Sequence, residues 1–120
     1  MTTDLAPPFA LDAHALALDA AQPLPDERVL AGAPAVAERA LWTSPDRTVE
    51  CGVWEITAGV STDVEASEVF LVLCGRAVVE IQGGPTLELA PGVAGTFVGG
   101  ERTVWHVHET LRKLYTASLR

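Results

Sequence analysis

From Val49 onward, short apolar runs alternate with polar positions and are broken at Gly59, Gly75, Gly83-Gly84-Pro85, Pro91-Gly92 and Gly99-Gly100. Short runs rich in β-branched and aromatic residues, with turn residues at regular spacing between them, are the pattern of an all-β sandwich or barrel. The pattern predicts strands over 49–57, 69–74, 77–82, 86–89, 95–98, 103–108 and 111–117. Gln82-Gly83-Gly84-Pro85 supplies the positive-φ residues of a tight hairpin, and Pro91-Gly92 supplies a turn with proline first and glycine second. Residues 1–33 mix proline, alanine and leucine without a sustained helical stripe, which predicts an N-terminal arm with one turn of helix near Phe9 to Leu18. There is no internal repeat, low-complexity tract or second domain.

A chain of 120 residues fits one core, long enough to bury roughly two thirds of its unfolded surface without metal or disulfide support. The formal net charge of −8 argues against nucleic acid and anionic membranes as partners, since both demand a basic face. Met1 to Ala10 carries Asp4 and Pro7-Pro8 where a signal peptide would have a basic and then an apolar region, so the expectation is a soluble cytoplasmic protein. Cys51 and Cys74 each sit in an apolar run and are expected to be reduced core residues, not a disulfide.

Lys113 is the only lysine, the other cations being seven arginines. On a strand over 111–117 it shares a face with Leu111 and Tyr115, by the period of two. Trp54 and Trp105 can supply a flat apolar wall for a small ligand or simply pack in the core. Phe70 and Val72 share parity with Glu68 and extend the same inner face.

Gly52-Val-Trp-Glu-Ile-Thr-Ala-Gly59 followed by Glu68-Val-Phe-Leu-Val-Leu-Cys-Gly75 resembles the first motif of a cupin, whose Glu-x6-Gly ends one strand and opens a turn. Pro91-Gly92, Phe97, Gly100, Thr103-Val-Trp-His-Val107 and Leu111-Arg-Lys-Leu-Tyr115 resemble the second motif as it appears in the ureidoglycine-aminohydrolase-like group of small cupins. The resemblance spans residues 30–117 and implies a small double-stranded β-helix, the cupin jelly-roll barrel, over 30–120, with an N-terminal arm over 1–29. A cavity between two sheets, and a homodimer, are also implied.

A metal-binding cupin supplies two histidines and a glutamate from its first motif and a histidine from its second, a donor set suited to Mn, Fe, Ni or Zn. In this chain the resemblance places Ser61, Asp63 and Thr103 at the three histidine positions and retains only Glu68. Val93 and Val98 replace the motif's usual Asp and Pro. Two alternatives stay open: no cofactor, or a divalent metal with Asp63 and Glu68 as weak candidate ligands. Glu65 joins them in an acidic stretch, which before a strand is more often a solvated surface than a cation site. If Thr103 takes the inward position of the lost histidine, Trp105 and Val107 point inward and His106 and His108 outward.

The site residues expected from this reading are Glu68 and Lys113, an ion pair positioned for acid–base work or for holding the barrel together, and Trp54, Phe70, Thr103, Trp105 and Tyr115 as ligand contacts. Three functions compete. The first is a metal-free domain binding a small metabolite; the second, an enzyme of the ureidoglycine aminohydrolase type; the third, an oligomerisation or regulatory unit using the His106 and His108 face.

Overall fold

In a computed structural model that describes residues 5–119, the chain forms nine antiparallel strands and, among the described residues, no α-helix. In chain order these are β1 (Gln22–Pro23), a 3-10 turn at Asp26–Arg28, β2 (Val29–Gly32), β3 (Ala35–Thr43), β4 (Val49–Ile56), β5 (Gly59–Val64), β6 (Glu68–Ile81), β7 (Thr86–Leu89), β8 (Ala94–Phe97) and β9 (Arg102–Ser118). The expected all-β jelly roll is the architecture observed. No helix among the described residues is long and apolar enough to cross a membrane.

Two long strands organise the barrel. One edge of β9 pairs with β6 from Thr103 to Ala117; its other edge takes β5 along the first half, Arg102 to Val107, and β4 along the second, Leu111 to Ser118. The far edge of β6 takes β8 near its start and β7 near its end. The sequence pattern divided β6 and β9 in two each, because Gly75 and the polar Glu109-Thr110 interrupt their apolar runs. The structure bends both strands there instead, through register shifts between Val72 and Ala77. Gly75 adopts φ +91°, and a Cβ on it would lie 2.2 Å from the Thr110 carbonyl oxygen, so only glycine lets the two backbones cross so closely.

The inward faces follow parity within each half of a long strand, and on β6 the register shifts between Val72 and Ala77 exchange the inward parity from even to odd positions. Phe70, Val72, Ala77 and Val79 of β6 pack with Phe97 and with Trp105, Val107, Leu111 and Tyr115 of β9 in one core. His106 is half-buried and His108 exposed on the opposite face, with the His106 Nε2 hydrogen-bonded to Glu80.

Four sequence expectations are corrected. The arm has no helical turn near Phe9 to Leu18, only a turn closed by Ala15 N–H on the Asp12 carbonyl at 3.2 Å. The carbonyls of Ala13, His14 and Leu16 are taken by Arg112 Nη1, at 3.0, 3.1 and 2.9 Å, so they are bonded to a guanidinium instead of to a helix. Residues before 33 also contribute β1 and β2 to the sheet, and β3 and β5 were not foreseen. β3 is alanine-rich with exposed charges, and Gly59-Val-Ser-Thr-Asp-Val64 is too polar to read as an apolar run. Cys74 is exposed and Cys51 half-buried, and both thiols are free. Cys51 falls on the outward parity of β4, whereas Cys74 shares the parity of Phe70 and Val72 but lies in the register shifts that bend β6, which take it out of the inward pattern.

Candidate functional site

The barrel mouth near the start of β6 and the end of β9 holds a cavity of about 290 Å³, lined among others by Trp54, Glu65, Glu68, Trp105, Lys113 and Tyr115. Register explains the convergence. Lys113 on β9 lies opposite Trp54 on β4 and Val72 on β6, and Glu68 opens β6 across from Ala117. The Lys113 ammonium donates to Glu68 Oε1 at 2.6 Å. It also sits over three rings, 4.6 Å from the centre of Trp54, 4.9 Å from Phe70 and 5.3 Å from Trp105. Desolvation would disfavour a lone ammonium here; the carboxylate and the ring faces replace its water.

Trp54 and Trp105 form a tilted pair with ring centres 5.5 Å apart. Tyr115 donates its hydroxyl to Glu50 Oε2 at 2.9 Å; burial first, and that hydrogen bond second, push its pKa well above the ordinary phenol range. Phe70 and Thr103, expected as ligand contacts, are not among the residues lining this cavity, Thr103 lining a neighbouring hollow instead. Phe70 stacks on Phe97 with centres 5.6 Å apart, and Thr103 uses its hydroxyl inside the protein, on Glu65.

Glu65 is the residue that the sequence reading misplaced. Instead of belonging to a solvated acidic surface, it is 7% exposed. Its backbone is pinned to the facing loop, its N–H donating to the Glu101 carbonyl at 2.9 Å and its carbonyl accepting from Gly100 at 2.8 Å. That clamp turns the side chain inward, where Oε2 accepts from Thr103 Oγ1 at 2.6 Å and from Trp105 Nε1 at 2.9 Å. Among the described residues none donates to Oε1. Burial raises the Glu65 pKa above the usual carboxylate value, the two hydrogen bonds opposing it only in part. Glu38 at the cavity rim is raised too, by burial and then by Glu50 and Asp19. The signal that could have found Glu65 is its parity with the buried Ser61, one residue past the end of β5, but β5 is too polar to be read as a strand, so that parity had nothing to start from.

The residues do not fit the metal set that a cupin would use. Ser61 and Thr103 offer hydroxyls, and Thr103 is committed to Glu65. Asp63 accepts from Arg28 Nη2 at 3.3 Å, and Glu68, the one retained ligand type, is taken by Lys113. Among the described residues no three His, Cys, Asp or Glu side chains gather as a metal site. A larger hollow of about 700 Å³ lies where the ends of β5 and β6 meet the start of β9, lined by Arg28, Glu80 and Arg102 among others; it lacks the aromatic wall and the buried acid.

Solved structures share this fold. A protein of unknown function from Pseudomonas syringae pv. tomato superposes with a TM-score of 0.76 at 23% identity over 88% of this chain, which spans only 46% of that protein. The Clostridium difficile EutQ protein gives 0.61 at 20% identity, covering 71% of this chain and 68% of its own. Ectoine synthase from P. lautus gives 0.61 at 21% identity, covering 69% and 63%. No curated protein matches the sequence. The profile of the EutQ-like cupin domain matches residues 43–115, from the end of β3 through the Lys113 and Tyr115 segment of β9, and the chain therefore belongs to the EutQ-like cupin domain family.

Proposed function

We propose that this domain binds a small metabolite in the cavity at the barrel mouth, without a histidine-held metal. The observation that carries the reading is the cavity itself: an aromatic wall, a buried ion pair and a buried carboxyl with one oxygen left over converge on about 290 Å³. Concave sites with mostly apolar walls and a few placed polar groups are the usual form of a small-molecule site. Trp54, Trp105 and Tyr115 supply contact area, Lys113 and Glu68 hold the wall's geometry, and Glu65 faces the ligand. A homodimer, as the family resemblance implies, is compatible with a cavity whose walls come from one chain.

The second reading is an enzyme, of which the ureidoglycine-aminohydrolase-like group is the narrower candidate. Glu65 favours it, since a buried acid whose pKa burial raises above the ordinary carboxylate value is a candidate proton donor or acceptor in a cavity. In that reading Glu68 and Lys113 tune the site and Glu65 transfers the proton. Fold alone does not choose between these, because one architecture carries many chemistries.

Ligand binding is tested by screening a metabolite panel for thermal stabilisation and for a change in tryptophan fluorescence. Saturable binding lost in Trp54→Ala supports the reading; binding indifferent to Trp54 overturns it. Metal content is tested by mass spectrometry after loading with Mn, Fe, Ni and Zn. The expected result is well below one metal per chain, and near-stoichiometric metal that Glu68→Gln abolishes would overturn the metal-free site.

A further inference from the structure

If the cavity is a ligand site, as proposed above, the charge of its wall bears on the class of ligand it takes. Five carboxyl side chains line it, Glu38, Glu50, Asp63, Glu65 and Glu68, against one ammonium, that of Lys113. The ammonium is engaged by Glu68 at 2.6 Å, and Arg28, reaching from the 3-10 turn, offsets Asp63 at 3.3 Å. Glu50 and Glu65 accept only from neutral donors, the Tyr115 hydroxyl for one, the Thr103 hydroxyl and Trp105 indole for the other. Among the described residues, Glu38, Glu50 and Glu65 have no cationic side chain within ion-pair distance. Three carboxyls around one small cavity repel each other when ionised, and a cation placed among them relieves that repulsion.

Glu65 adds direction to this field. It is 7% exposed and lines the cavity, and its Oε2 holds both protein donors while Oε1 holds none from the described residues. Since no buried side-chain oxygen among the described residues lacks a partner, Oε1 is the accessible oxygen of a Glu65 that lines the cavity, within reach of a ligand's donor. The rings beside it already accept a positive charge, since Lys113 lies over Trp54 at 4.6 Å and Trp105 at 5.3 Å.

We propose that the cavity's ligand is a small organic cation carrying an ammonium or guanidinium group, and that this group docks on Oε1 of Glu65. The volume, on the order of ten water molecules, suits a compact amine. Binding brings a charge-assisted hydrogen bond to Glu65 and leaves the Lys113 and Glu68 pair in place. It also favours ionised Glu65 and Glu38, so uptake of the cation releases protons.

The test uses the intact wild-type protein, titrated at constant ionic strength with methylammonium, guanidinium, acetamide and acetate as probes. The Trp105 indole N–H resonance is followed, because that group bonds Glu65. The expected result is a saturable shift with methylammonium or guanidinium at about tenfold or more lower concentration than with acetamide, and none with acetate. Glu65→Gln, which keeps an oxygen for Thr103 and Trp105, is expected to lose that tenfold preference. Acetamide or acetate saturating the signal as readily as the cations overturns the charge assignment while leaving the cavity a ligand site. No saturation by any probe overturns the ligand site itself. Should Glu65→Gln fail to fold, the ¹³C shift of the Glu65 carboxyl in the wild type decides the anchor: it moves with the cation titration, or Glu65 is not the dock.

Discussion

The Lys113 ammonium lies 2.6 Å from Glu68 Oε1 with their side chains only 5% and 9% exposed. Taking two charges out of water costs more than their attraction returns unless geometry and further contacts compensate, and removing one partner strands the other. Lys113→Met and Glu68→Leu are each expected to destabilise the fold by about 3–5 kcal/mol. The double variant is expected to recover most of that loss, measured by urea unfolding as a double-mutant cycle. Additive losses would mean that the two side chains are stabilised separately, not as a pair.

Burial holds the proton on Glu65 above the unfolded value of 4.5. Between pH 4.5 and its raised folded pKa the native state binds more protons than the unfolded state, so stability falls as pH rises through that window. The slope for one proton is at most about 1.4 kcal/mol per pH unit. Glu65→Gln mimics the neutral acid and is expected to flatten this decline in unfolding titrations from pH 5 to 8. Glu38 contributes with the same sign from the rim, so the slope is expected to shrink further in Glu38→Gln and Glu65→Gln combined.

Gly95 of β8 lies opposite Phe70 of β6, and a Cβ placed there would meet the ring at 2.4 Å. The ring cannot retreat, since Phe97 stacks on it. Gly95→Ala is expected to cost about 2–3 kcal/mol by overpacking and to disturb the Phe70 face over which Lys113 sits. A melting temperature equal to that of the wild type would show that the barrel relaxes there.

Arg112 holds the N-terminal arm against the barrel, donating to the carbonyls of Ala13, His14 and Leu16 with Nη1 and to Glu55 with Nε at 2.8 Å. Arg112→Met keeps the stem and removes the donors. Faster hydrogen exchange confined to residues 12–17, with β9 still protected, is the expected outcome; unchanged exchange would assign the arm's placement to other contacts.

Strands with a strong period of two were readable without coordinates, and β4, β7 and β8 fall within a residue of their expected bounds. So was the inward set Glu68, Phe70, Trp105, Lys113 and Tyr115, because once a strand is assigned, parity alone sorts its side chains. β3 and β5 were not readable. β5 is paired on one edge by β9 and on the other by β2, and β3 is paired along its length by β4 and only at Ala35 and Val36 by β1; which strand covers each edge is not visible in local sequence.

Local pattern in this sequence determined the barrel class, the turns and the faces of the long strands, since each depends on residues a few positions apart. What sits opposite what was decided by the tertiary structure. Lys113 meets Glu68 across 45 positions, and Glu65 meets Trp105 across 40. A loop clamp through Gly100 and Glu101 holds inward an acidic residue next to a strand too polar to be recognised from its own pattern. The cavity's chemistry rests on such long-range contacts, whose energies come from desolvation and charge proximity in the folded chain, and neither exists until the strands have paired.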